Sequence, residues 1–320
     1  MMKTVLVAGA GGFIGGFLTK RLLDEGNIVY AVDIKPLQDW YQIHNCFMFA
    51  NIDLKDFTNC KNLFQCGEID EVYNLAADMG GMGFIENNKA LCMLSVLINT
   101  NLLMTTKEAG VKRFFYASSA CVYNGDKQQD PQNPGLKESD AYPALPEDGY
   151  GWEKLFSERM CRHFTEDFGL ETRIARFHNV YGPLGTYKGG REKAPAAICR
   201  KVIEGLKTNE IEIWGDGEQT RSFMYVDDCI EGVRRLMDSD IKIPLNIGSS
   251  EMVSINQLVD FAEDIAVVKL NRVYNLDAPK GVRGRSSDNT LIKELLGWEP
   301  SIKLKDGLKK TYDWIKEEMK

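Results

Sequence analysis

A chain of 320 residues is long enough for one large α/β unit or two joined domains, and its 44% hydrophobic, 27% charged composition is that of a soluble globular protein. A net charge of -7 argues against broad nucleic-acid binding, while leaving room for an anionic small ligand held by a local arginine cluster. No run of about 18 uncharged apolar residues is present and the chain goes straight into a strand, so neither a membrane span nor a secretory signal is expected.

The first strand is Lys3-Thr4-Val5-Leu6-Val7-Ala8. It runs into Gly9-Ala10-Gly11-Gly12-Phe13-Ile14-Gly15, and a helical pattern follows (Phe17, Leu18, Leu22, Leu23). Glycines at 9, 12 and 15 between a strand and a helix permit a tight turn and close backbone approach to a pyrophosphate at the helix N-terminus. Phe13 and Ile14 open that helix beside the cofactor. The next strand, Ile28 to Val32, ends at Asp33, where a carboxylate accepts from a ribose diol and repels a 2′-phosphate, favouring NAD over NADP. A third strand ends at Asp53, which reaches for the adenine edge or simply caps the strand. A fourth, Glu71 to Leu75, leads to Ala76-Ala77, small enough to pack against a dinucleotide, and then to a glycine-rich loop containing Gly80.

A helix is expected from about Lys89 to Glu108. The central strand Phe114-Phe115-Tyr116-Ala117-Ser118 stops at Ser119, with Cys121 two residues on, and in an open α/β sheet both then face the cleft. Residues 124–148, rich in Pro, Asp, Gln and Asn, read as a surface loop. Tyr150 and Lys154 lie one helical turn apart on one face of the helix that follows. A further strand, Thr172 to Phe177, ends at His178-Asn179, with Asn179 placed for a substrate and His178 read as a packed histidine. The regular alternation ends near Tyr181. The expected architecture is therefore a Rossmann-type doubly wound parallel sheet over 1–181 and a smaller α/β substrate domain over 182–320, with a segment near 222–248 able to pack back on the first. Basic residues recur in the second part, and Arg221, with Arg283 and Arg285 flanking Gly284, suits a diphosphate.

Eight scattered cysteines without a C-x-x-C pair suggest reduced thiols in a cytoplasmic protein. Three histidines, His44, His163 and His178, share no ligand spacing, so no metal site is expected.

A tyrosine acting as base needs its pKa brought from about 10 to about 7, roughly 4 kcal/mol. A unit positive charge about 4 Å away supplies about 4 kcal/mol at an effective dielectric of about 20, and Lys154 is the candidate. With Ser119 holding a hydroxyl beside the phenol, the set moves a hydride between an alcohol carbon and NAD.

On these motifs the chain resembles an extended short-chain dehydrogenase/reductase of the nucleotide-sugar-modifying kind. Within that family it is similar to the branch that epimerises GDP-mannose at C3 and C5. The blocks carrying the closer likeness are 76–84, 118–121, 189–195, 219–223 and 281–285. The resemblance implies oxidation at C4 by Tyr150 and Lys154 with NAD⁺, after which Cys121 would be the base and Lys193 the acid that invert the acidified centres. It implies Gly80, Asn179, Glu192, Lys201, Gln219, Arg221 and Arg283 as further contacts to a GDP-sugar, and a homodimer. The chain departs from the family pattern at Asn124, at Leu94-Ser95 where a pair of asparagines is expected near the cofactor, and in the 124–148 loop. A 4-epimerase would leave Cys121 and Lys193 idle. A 4,6-dehydratase would want an acidic residue near 121, and a non-catalytic NAD-binding regulatory protein would not need the full Ser/Tyr/Lys set.

Overall fold

The computed structural model describes residues 2–320. Six parallel strands, β1 (Thr4–Ala8), β2 (Ile28–Asp33), β3 (Met48–Asn51), β4 (Glu71–Asn74), β5 (Arg113–Ser119) and β6 (Glu171–Phe177), form a sheet with a seventh, Leu245–Ile247, at its edge. The order across the sheet is Leu245–Ile247, β6, β5, β4, β1, β2, β3. Strands covered on both faces by helices read as continuous apolar runs, and Val5 to Ala8 are all fully buried. Strand order reverses between β1 and β4, so the cleft for a ligand opens beyond the carboxyl ends of these two strands.

The chain leaves the sheet after Tyr181 and returns to it. Helix Val226–Asp238 packs on helix Phe13–Asp24, where Arg21 meets Glu231 at 3.0 Å and Arg234 meets Glu25 at 3.0 Å. Beyond Asp238 the chain enters the seventh strand, with Leu245 beside Ala175 of β6. The smaller unit is built on helices Ala194–Thr208, Ile255–Ala266 and Leu304–Glu318, packed on one another, and on the parallel pair Glu210–Trp214 and Asn271–Asn275.

Two sequence expectations change. The expected helix over 89–108 is interrupted at Leu94, giving Lys89–Met93 and Ser95–Glu108. By length and composition Lys89–Glu108 is apolar enough to cross a bilayer, at a mean hydropathy of 1.2. Here it lies against helix Asp148–Phe168 and buries Asn99 and Thr105. Residues 124–148 are not a plain surface loop either. Gln128, Leu136 and Ala141 are buried, and the main chain pairs with the 283–288 segment through Arg283 N to Gln128 O and Leu136 N to Ser286 O. Asparagines and prolines signal irregular backbone. They do not say whether its polar groups face water or another segment.

Candidate active site

β5 ends at Ser119, and a single 3₁₀ turn, Ala120–Val122, carries Cys121. The Ser119 hydroxyl accepts from the Cys121 N–H at 3.2 Å, which fixes the turn. Helix Asp148–Phe168 docks its first turn on the same place, the Glu147 N–H donating to the Cys121 carbonyl at 3.1 Å. That contact brings Tyr150 to hydrogen-bonding reach of Ser119. Alternation along the strand sends Ser118 elsewhere, to donate to buried Glu158 at 2.5 Å.

Lys154 is buried, with its ammonium 5.5 Å from the Tyr150 ring centroid and 4.8 Å from that of Tyr116. Its charge faces the buried Glu153 carboxylate at 3.6 Å. Burial pushes the Tyr150 phenol well above its ordinary value, and Cys121 and Glu153 add to this, while the Ser119 bond works the other way. The expected lowering of the phenol by Lys154 is thus not what the side chains produce by themselves. Glu153, which sequence spacing did not single out, offsets the ammonium.

Cys121 is 8% exposed and lies in an apolar cluster with Ile85, Cys92 and Tyr150. Lys193, the residue capping helix Ala194–Thr208, reaches the same place from the smaller unit. Burial pushes the Lys193 ammonium down; the neighbouring thiol and Glu147 oppose this, and Arg285 reinforces it. A lysine so displaced gives up its proton more readily, as a general acid must.

Arg285, expected with Arg283 at a diphosphate, is instead turned to the thiol and the carboxylate beside it. Its guanidinium donates to the Cys121 sulfur at 3.5 Å, to Gln128 Oε1 at 2.5 Å and to the Glu147 carboxylate. Burial alone would raise the Glu147 carboxyl, but Arg285 more than reverses it and holds the carboxyl below its usual range. The available signal was the Arg-Gly-Arg spacing: Arg283 lies just before the short strand Gly284–Arg285 and Arg285 lies within it. Arg283, expected at the substrate, here has its guanidinium on both carboxylate oxygens of Asp216 at 3.0 Å near the surface.

Arg221 is buried and bonds only main-chain carbonyls, of Thr220 at 2.7 Å, Lys280 at 3.2 Å and Val282 at 2.6 Å. Burial, with Arg285 beside it, brings its guanidinium down to about 10. With no carboxylate bonded to it, this cation suits an anionic ligand. Gln219 is buried, and its Oε1 has no partner. Other expected contacts are engaged within the protein. Lys201 donates to Glu212 at 2.8 Å, Glu192 accepts from Gly190 N at 2.7 Å, and Asn179, at φ +46, donates to the Ser222 carbonyl at 3.0 Å. Gly80 lies against Phe84 and Arg191. His178 is fully buried and bonds Asn246 at 2.9 Å, away from the acid–base set.

The strand order, the glycine turn and the serine–tyrosine–lysine set together mark a dinucleotide-dependent redox site. The family model described as NAD dependent epimerase/dehydratase matches residues 5–248. The chain belongs to this family. It is 51% identical to GDP-mannose 3,5-epimerase 1 of Oryza sativa subsp. indica, over 98% of this chain and 82% of that one. It is 50% identical to GDP-mannose 3,5-epimerase of Arabidopsis thaliana over the same shares. Among solved structures, the UDP-glucose 4-epimerase of Thermotoga maritima with UDP-glucose superposes with a TM-score of 0.88 at 26% identity, covering 99% of this chain and 100% of that one.

The residues of this NAD dependent family member fit the cofactor. Gly9, at φ +85, lies against the main chain at Ala76, and a methyl on Gly15 would collide with the Gly9 carbonyl. The helix after the turn starts at Phe13 with no side chain capping its N–H groups, which are left for a pyrophosphate. Asp33 accepts from Gly11 N at 2.9 Å and Lys35 N at 2.8 Å, leaving lone pairs on each oxygen for a ribose diol. Asp53 closes a local turn by accepting from Lys55 N at 2.9 Å. Near the sheet, Asn99, one turn after Ser95, is buried and accepts from Asn74 at 3.1 Å, while Ser95 accepts from Asp78 N at 2.9 Å.

Proposed function

We propose that this protein inverts C3 and C5 of GDP-mannose through transient oxidation at C4. The observation that carries the reading is the convergence of Cys121, Lys193 and Arg285 on the redox set Ser119, Tyr150 and Lys154. A 4-epimerase uses only the redox set. The relatives named as GDP-mannose 3,5-epimerases, half identical over nearly the whole chain, support the same reading.

Ser119 and Tyr150 would hold the C4 hydroxyl, and Tyr150 would take its proton. When bound, oxidised NAD supplies the hydride acceptor for C4 and a positive charge that favours the phenolate. The resulting ketone acidifies the hydrogens on C3 and C5. Cys121 would remove each in turn and Lys193 would protonate the opposite face, help of a kind worth roughly 10²–10⁴ in rate. Arg285 would hold negative charge on the sulfur, and Arg221 would take the diphosphate.

A homodimer through helices Ser95–Glu108 and Asp148–Phe168 is part of this proposal. Leu97, Met104, Trp152 and Phe156 lie exposed on the two packed helices, an apolar face that suits a second copy. A reducing, cytoplasmic location is a reading the eight free thiols support. Turnover of a panel of GDP- and UDP-linked hexoses, with products identified by NMR, tests the function. Conversion of GDP-mannose to 3- and 5-inverted products is expected, and turnover confined to a UDP-hexose at C4 would overturn the reading.

A further inference from the structure

The redox set and the proposed acid come from different parts of the molecule. Ser119 and Cys121 close β5, and Tyr150 and Lys154 share one helix, so their geometry is internal to the larger unit. Of the redox set and the acid–base pair, only Lys193 comes from the smaller unit, at the end of an irregular strap over 182–193. Just before it, Gly189 and Gly190 sit at φ +90 and +88 with open space around them, and they do little to fix the strap.

Arg191 ties the strap down. Its Nη1 donates to the Met79 carbonyl at 3.1 Å, its Nη2 lies 3.6 Å from Asp78, and its guanidinium stacks 3.7 Å above the Phe84 ring. The Arg191 carbonyl accepts from Gly81 N at 3.0 Å. The receiving side is itself anchored, since Asp78 N donates to Ser95 at 2.9 Å and Met79 and Phe84 pack on the Cys121–Tyr150 cluster. The approach is so close that a methyl on Gly81 would strike the Glu192 carbonyl.

We propose that Arg191 is a positioning residue, a latch across the cleft that fixes Lys193 over the substrate and so governs inversion without governing oxidation. The inference rests on the 3,5-epimerase reading. Displacing a reacting group by about 1 Å can cost about 10²-fold, and only the group carried by the strap would be displaced.

The test uses the NAD-bound protein with GDP-mannose in heavy water and three readouts: bound NADH by its near-ultraviolet absorbance, deuterium entering C3 and C5, and inverted product. For Arg191→Ala, inversion should fall about 10–100-fold. NADH formation and label entry, which depend on Tyr150 and Cys121, should stay within about threefold of the unaltered protein, less than the cost of a misplaced group. Gly81→Ala, which opens the same seam from the other side, should give the same split, and the double variant should be no worse than the poorer single one. Arg191→Lys keeps the charge but loses the planar stack, and should restore inversion only in part. Unchanged inversion, or NADH formation falling in step with inversion, would overturn the latch alone. An unaltered protein that introduces no label at C3 or C5 would overturn the epimerase reading, and the latch with it.

Discussion

At the scale of single residues, the site divides by what each side chain can do with a proton. Tyr150→Phe should abolish every step, including NADH formation, because the C4 hydroxyl then has no base. Cys121→Ala should block inversion and label entry while bound NADH still forms, and stopped-flow absorbance with product NMR separates the two. Normal epimerisation by Cys121→Ala would make the thiol structural. Arg285→Lys keeps a cation but loses the fork that spans Cys121, Gln128 and Glu147. It should lower inversion by about 10–100-fold, as loss of a charge-assisted bond of roughly 1.5–3 kcal/mol implies, with little change in NAD binding measured by titration. Asp33 should make NAD bind more tightly than NADP, and equal affinities would contradict its role.

At the scale of elements, much was legible because local pattern and tertiary setting agree. The β1 run, the glycine turn and Asp33 form one contiguous signal, and the structure places them as strand, turn and strand end. Tyr150 and Lys154 fall in one helix, where the spacing i, i+4 puts them on one face a turn apart. What escaped lies where one segment meets another far along the chain. Arg285 meets Glu147 and Cys121 across 138 and 164 residues, and no local pattern announces such a pairing. Residues 124–148 were misread for the same reason, their polar groups being satisfied by the C-terminal segment.

The helix Asp148–Phe168 also carries a structural charge. Glu158 accepts two bonds from Arg176, at 2.9 and 2.7 Å, and one from Ser118, all in the interior. Glu158→Ala leaves the Arg176 guanidinium buried and uncompensated. It should cost about 3–5 kcal/mol by denaturant unfolding, and a loss under about 1 kcal/mol would contradict this account of the pair.

At the scale of the whole molecule, a buried network joins the sheet to the segment over the cleft. Asn246 Oδ1 accepts from Tyr123 at 2.5 Å and from His178 Nε2 at 2.9 Å, while its amide donates to Leu136 O at 2.8 Å. Because Nε2 donates, the His178 proton sits there. Nδ1 is buried without a partner. Burial brings His178 from 6.5 to about 3, so the unfolded chain takes a proton first. Its contribution to stability is complete above about pH 6.5 and is lost as pH falls towards about 3, by up to about 1.4 kcal/mol per pH unit. Chemical denaturation at a series of pH values should show this slope, and a flat profile through that window would contradict a buried neutral His178.

The central claim is that two units meet so that a redox set and a separate acid–base pair act on one sugar ring. It is tested most directly by turnover of GDP-mannose in heavy water, followed by NMR and mass analysis of each carbon. Hydrogens on C3 and C5 would leave as protons to side chains that exchange with solvent, whereas the C4 hydrogen would travel as a hydride and return. The account predicts deuterium at C3 and C5 and none at C4; an unlabelled product inverted at C4 would contradict it.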